Sequence, residues 1–114
     1  MSESVDAREI YEEAARYLGA LEQGTATCAE HFSKLENAKG LELLVQMIEG
    51  LEWMIGAMGA TKTLHTVQVD AKAADQVFGE MVQALENQDY PLCGELLEYE
   101  LLPVLEQWRA AFAS

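Results

Sequence analysis

Apolar residues recur at alternating steps of three and four through the first third of the chain: Tyr11, Ala14, Leu18, Leu21, Thr25, Cys28, Phe32 and Leu35. A turn of α-helix takes 3.6 residues, so only a helix packed lengthwise on its neighbours keeps such a series on one face. A strand would need a period of two. The phase passes through Gly19 and Gly24 without slipping, although each glycine costs about 1 kcal/mol against alanine. The pattern therefore predicts one rod over residues 5–36, about 48 Å long at 1.5 Å per residue. Ser2 and Ser4 are candidate caps, and Glu3, Asp6 and Glu9 suit the positive end of the helix dipole.

Asn37-Ala38-Lys39-Gly40 reads as the first turn, because Asn and Gly end helices and accept the left-handed conformation. A second helix follows with Leu41, Leu44, Ile48, Leu51, Ile55 and Met58 on its stripe. Val45, Met47, Trp53 and Met54 fall off that line, and only Glu42, Gln46, Glu49 and Glu52 mark a polar strip. A helix so widely apolar is expected to be central to its bundle or covered by a second chain. Gly59-Ala60-Thr61-Lys62-Thr63 interrupts the phase. The third stripe reads Leu64, Val67, Ala71, Ala74, Phe78, Met81 and Leu85. Its start is open, since Val67 and Val69 are weak helix formers and Asp70 could cap a later beginning. Residues 86–91 form the last turn, with Asp89 as cap and Pro91 tolerated in the first turn. The fourth helix carries Leu92, Cys93, Leu96, Leu97, Leu101, Val104, Leu105, Trp108 and Phe112. Pro103 lies inside it and removes the bond to the Tyr99 carbonyl, which predicts a kink. The expected fold is all-α: one domain over 1–114, an antiparallel bundle of about four helices with a long first helix and a last helix kinked at Pro103.

With 114 residues, 50% of them hydrophobic, the chain is long and apolar enough for a packed core. Its formal net charge of -13 repels phosphate backbones and anionic membrane faces, so neither nucleic acid nor membrane is an expected partner. A basic partner, or simply a solvated acidic surface, remains open. The N-terminus shows no basic region followed by an apolar stretch, and the longest uncharged apolar run, 53–61, falls short of the ~20 residues that span a bilayer. A cytoplasmic location is expected, where Cys28 and Cys93 stay reduced.

Little in the chain carries chemistry. Cys28 and His31 offer two ligands where structural zinc needs four and catalytic zinc three. His65 and Cys93 would have to converge from other helices. Di-iron bundles need Glu-x-x-His, but Cys28 and Lys62 precede the two histidines by three. Glu9, Glu12 and Glu13, or Glu95 and Glu98, share helix faces off the apolar stripes. They read as solvated surface, as do the pairs Glu12–Arg16 and Glu30–Lys34. Acid–base work would require burial of one carboxylate. Glu100 borders the apolar face between Tyr99 and Leu101 and is a candidate buried-edge hydrogen-bonding residue. Ser33 follows His31 too closely for a triad, and no Gly-x-Ser-x-Gly elbow occurs. Gly19 to Thr25 copies the spacing of a phosphate loop without its lysine or strand. No cofactor, metal or enzymatic activity is expected; the nearest thing to a site would combine Glu100, Tyr99 and His65.

The remaining candidate is surface. Met47, Trp53, Met54, Met58 and Met81 could line an apolar groove near helices 2 and 3, since methionine adapts to varied partners. Methionine at helical spacing also serves as plain core filling. A homodimer face using Trp53 and Met54 would cover an over-apolar second helix. The functional expectation is a protein-binding adaptor or small chaperone, and the alternative is a homo-oligomeric structural protein with no foreign ligand.

Asp89-Tyr90, the run Leu96-Leu97-Glu98-Tyr99-Glu100-Leu101-Leu102-Pro103 and the Trp108 end make residues 84–108 resemble the C-terminal segment of small bacterial helical proteins that share a domain of unknown function. Pro91 and Gly94 stand where that group would carry an aliphatic or small helix former. The resemblance implies a helical fold and brings no catalytic residues. In size and helical organisation alone, the chain is also similar to flagellar-export chaperones of the FliS type, an analogy of fold class.

Overall fold

In the computed structural model, which describes residues 7–61 and 72–113, α1 runs from Ala7 to Ser33 without a break at Gly19 or Gly24. Its 27 residues make a rod of about 40 Å. α2 (Asn37–Ala60) and α3 (Lys72–Glu86) follow. The fourth rod is composite: α4 (Tyr90–Leu96), a π-helical turn (Leu97–Leu101) and α5 (Leu102–Ala113). The helical bundle expected from the stripes is thus observed, and every element among the described residues is helical. The predicted caps Ser2 and Ser4 and the positions Leu64, His65, Val67, Asp70 and Ala71 lie outside the described residues.

α1 is the central member, not α2. Its face of Ala14, Leu18, Leu21, Thr25, Cys28, Ala29 and Phe32 is buried, with α2 on one flank and α4, the π turn and α5 on the other. α3 rests on α4. The molecule measures 49 × 23 × 21 Å, and that cross-section fits two layers of helices about 10 Å apart.

The α2 stripe is rotated from the predicted one. Leu44, Met47, Leu51, Met54 and Met58 are buried, whereas Ile48 is 37% exposed and Val45 faces solvent. Both series keep three-four spacing and share Leu44, Leu51 and Met58. Gly40 and Gly50 decide between them, because they let α2 approach α1 closely. A methyl at Gly40 would lie 2.8 Å from the Phe32 ring, and one at Gly50 would collide with the Tyr17 hydroxyl.

The first turn lies three residues earlier than predicted, at Lys34 to Glu36, and Asn37 and Gly40 belong to α2. Glu36 N–H donates to the His31 carbonyl at 2.8 Å and Leu35 N–H to the Phe32 carbonyl at 3.1 Å. This is a Schellman motif, with Leu35 at φ 63° in the left-handed region. Leu35 therefore leaves the α1 stripe and is 69% exposed. The α3–α4 turn repeats the device. Asp89 N–H donates to the Ala84 carbonyl at 2.8 Å and Gln88 N–H to the Leu85 carbonyl at 3.0 Å, with Gln88 at φ 55°. As predicted, Asp89 caps α4, its carboxylate accepting from Leu92 N–H at 3.2 Å.

The phase break predicted at 59–63 begins at Thr61, whose N–H still bonds the Ala57 carbonyl at 3.0 Å. Its buried hydroxyl donates to the same carbonyl at 2.8 Å, as Thr25 does to Leu21 at 2.7 Å. Around Pro103 the irregularity takes the form of a π turn. Leu102 N–H reaches back five residues to the Leu97 carbonyl. Proline supplies no N–H, and a widened turn is one way for a helix to absorb the loss.

Candidate functional site

The five residues singled out as a binding groove do not form one. Met47, Met54, Met58 and Met81 are buried within the single chain, where flexible side chains fill irregular interior space. Of the proposed dimer pair, Met54 is likewise interior. Trp53 alone reaches solvent, 41% exposed. The Tyr17 ring meets it edge to face, centroids 5.5 Å apart, over an open recess of 460 Å³ flanked by Glu13, Gln46, Glu49 and Gly50. Gly50 is what lets Tyr17 lie flat enough against α2 to support the indole. Sequence periodicity missed Tyr17 because it stands one residue from Leu18 and off the stripe.

A second recess opens between the C-terminal end of α1 and the α4–π-turn rod. The rings of Phe32 and Tyr90 stack with centroids 6.2 Å apart. Gly94 packs on α1 so closely that a methyl there would lie 3.2 Å from Phe32 Cβ and 3.3 Å from the Ala29 carbonyl oxygen. Above this floor a cleft of 270 Å³ is bordered by Leu35, Pro91, Glu95, Glu98 and Tyr99. Tyr99 stands on the π turn, 69% exposed, and its phenol is pushed up by a hydrogen bond with Glu98 and then by that carboxylate's charge. Glu100 is exposed rather than held at a buried edge. It borders a separate recess with Val77 and Val104, so it contributes no buried carboxylate.

The two cysteines and the described histidine have structural surroundings of their own. Cys28 is fully buried and its thiol donates to the Gly40 carbonyl at 3.2 Å. Burial, followed by the nearby Cys93, pushes it up to about 12. Cys93 is raised by burial and then by Asp89. His31 Nδ1 lies 2.8 Å from Glu36 Oε1, and that hydrogen bond holds the Glu36 carboxyl below its ordinary value, with Lys39 adding to the effect. Cys28 and His31 therefore face different partners. Among the described residues, no three His, Cys, Asp or Glu side chains gather closely enough to hold a metal ion. Glu30 and Lys34 form the expected surface pair at 3.4 Å. Glu22 and Arg109 join α1 to α5 with Nε 2.6 Å from Oε2, an ion contact off the line of a hydrogen bond.

Fold and surface together define an all-helical bundle protein with open recesses, lined for the most part by apolar, neutral polar and acidic side chains. The chain belongs to the DUF8042 family, a domain of unknown function matched over residues 9–111. The match extends from the first rod to the last, well beyond the C-terminal segment that carried the resemblance in the sequence. No curated protein and no solved structure matches the chain. Among the described residues, no helix is long and apolar enough to cross a membrane.

Proposed function

We propose that the protein is a binding module for another protein, an adaptor or small chaperone acting in the cytoplasm, with the α1–α2 face around Trp53 as its seat. The observation that carries the reading is a large aromatic held half-exposed by a second aromatic at the edge of an open recess. Such residues dominate binding energy at interfaces, because they bury much area while losing few rotamers. Trp53 borders the buried face of α2, three residues from Gly50 and four from Ala57, yet keeps 41% of its surface in solvent.

The same face in a homodimer is the second reading, favoured by Val45 and Trp53, which both reach solvent on α2. An isologous pair would bring each patch against its own copy, setting Glu13 and Glu49 beside their counterparts. Charge thus favours a foreign partner. Light scattering on the purified chain, with Trp53→Ala and Trp53→Glu compared to wild type, separates the two. A monomer whose specific capture of one native partner is lost in both variants supports the adaptor. A dimer dissolved by Trp53→Glu replaces it with the homo-oligomer.

A further inference from the structure

Leu35 is costly twice over. A non-glycine residue in the left-handed region loses about 1 kcal/mol or more, and glycine or asparagine normally takes this place in a Schellman motif. Its side chain also stands 69% exposed, so it returns little burial to the fold. Tyr99 is equally exposed, on a π turn across the same cleft. The two border a cleft floored by Phe32 and Gly94, and its volume of 270 Å³ suits a protruding side chain better than a drug-sized ligand.

Charge narrows the occupant. Glu95 and Glu98 border the cleft, and no Lys, Arg or His lies among its lining residues. Covering carboxylates with an apolar group is expensive unless a cation accompanies it. A second copy seated through the same surface would oppose glutamate to glutamate, and an anionic lipid or phosphate would be repelled.

We propose that the cleft between the α1–α2 turn on one side and α4 with the π turn on the other docks a segment of a partner protein in which an aliphatic side chain is flanked by Lys or Arg. The aliphatic group enters between Leu35 and Tyr99, while the cations meet Glu95 and Glu98. The inference is independent of the Trp53 reading, since the cleft and the Trp53 recess share no lining residue.

The test titrates the full ¹⁵N-labelled chain with three synthetic peptides of equal length: Arg-Leu-Arg, Arg-Ser-Arg and Glu-Leu-Glu cores in neutral flanks. The expected result is amide shifts centred on Leu35, Gly94 and Tyr99, at least tenfold tighter binding of the first peptide than the second, and none of the third. Leu35→Gly, which suits the left-handed position and preserves the turn, should remove the preference for leucine over serine. Trp53→Ala should leave it unchanged. Equal binding of the two arginine peptides, shifts centred elsewhere, or retained preference in Leu35→Gly would overturn the proposal. So would a dimer in sedimentation that Leu35→Gly dissolves, because the occupant would then be a second copy.

Discussion

The Tyr11 hydroxyl donates to the main-chain carbonyl of Phe112 across 2.7 Å, and their rings lie 4.9 Å apart. A residue near the start of α1 thereby closes the bundle onto the end of α5. The carbonyl belongs to the last helical turn, where acceptors have no intrahelical donor. Tyr11→Phe keeps the ring contact and removes only the hydrogen bond. It should cost about 0.5–1.5 kcal/mol in urea denaturation, since water can reach this half-buried end. Tyr11→Ala also loses the ring and should cost clearly more.

Glycines divide by what surrounds them. A methyl at Gly19 meets nothing within 4 Å, so Gly19→Ala should stabilise the fold by about 0.5–1 kcal/mol by restricting the unfolded chain. A methyl at Gly40 would press on the Phe32 ring, and one at Gly50 on Tyr17 and Leu21. Gly40→Ala and Gly50→Ala should each destabilise by about 1–3 kcal/mol through overpacking. Opposite shifts in melting temperature for Gly19→Ala and Gly40→Ala would establish that close approach, not turn geometry, retains the second glycine.

The matched turns make a third expectation. Leu35 and Gln88 occupy the left-handed position with side chains that position disfavours. Leu35→Gly and Gln88→Gly should each stabilise by about 0.5–1 kcal/mol, with additive effects because the two positions lie in separate turns. Asp89→Ala removes the carboxylate that accepts from Leu92 N–H and should cost about 1 kcal/mol. Chemical denaturation of the three variants checks all of these signs.

These contrasts show what the sequence could and could not reveal. The α1 stripe was legible because one series alone satisfied the helical period there, and it carried through Gly19 and Gly24 correctly. In α2 two series fitted equally well. Choosing between Ile48 and Met47 as the inward residue required knowing that Gly40 and Gly50 face α1, which is a property of two helices rather than one. The first turn was misplaced for a related reason. Asn37 and Gly40 are the residue types that signal a left-handed cap, yet Leu35 takes that conformation and nothing in its chemistry announces it. Pro103 reads in sequence as a kink, and the rod there carries a π turn at Leu97–Leu101, a form that the missing N–H alone does not specify. Of the candidate site, Trp53 survived as a surface feature while the methionines turned inward. Leu35 reads in sequence as the end of the α1 stripe and Tyr99 as a companion of Glu100 and His65; neither is placed at this cleft, because exposure cannot be read from a period that sets them on or beside an apolar face.

Burial of Cys28 makes stability depend on alkaline pH in a direction that can be worked out. The thiol is ordinarily near 9.0 and is pushed up to about 12 in the folded chain, chiefly because a thiolate there would lose its hydration and secondly because Cys93 lies close by. Below about pH 9 the thiol is protonated in both folded and unfolded chains, so it adds no slope. Between about pH 9 and 12 the unfolded chain releases this proton while the folded chain keeps it. Unfolding then gains with rising pH, by at most about 1.4 kcal/mol per unit for a single group. The unfolding free energy should accordingly be flat from pH 7 to 8.5 and fall above that. Cys28→Ala should be less stable at neutral pH, because it loses packing and the bond to the Gly40 carbonyl, yet decline less steeply through pH 9–10.5. Urea denaturation of both proteins across that range reads the two slopes, and the difference between them removes contributions from tyrosines and lysines common to both. Parallel slopes would mean that the Cys28 thiolate is as well solvated in the folded chain as in the unfolded one. That would contradict its position in the α1–α2 core. In the same buffers, a thiol reagent such as dithionitrobenzoate should leave Cys28 unmodified in native protein at pH 8 and react with it once denaturant is added.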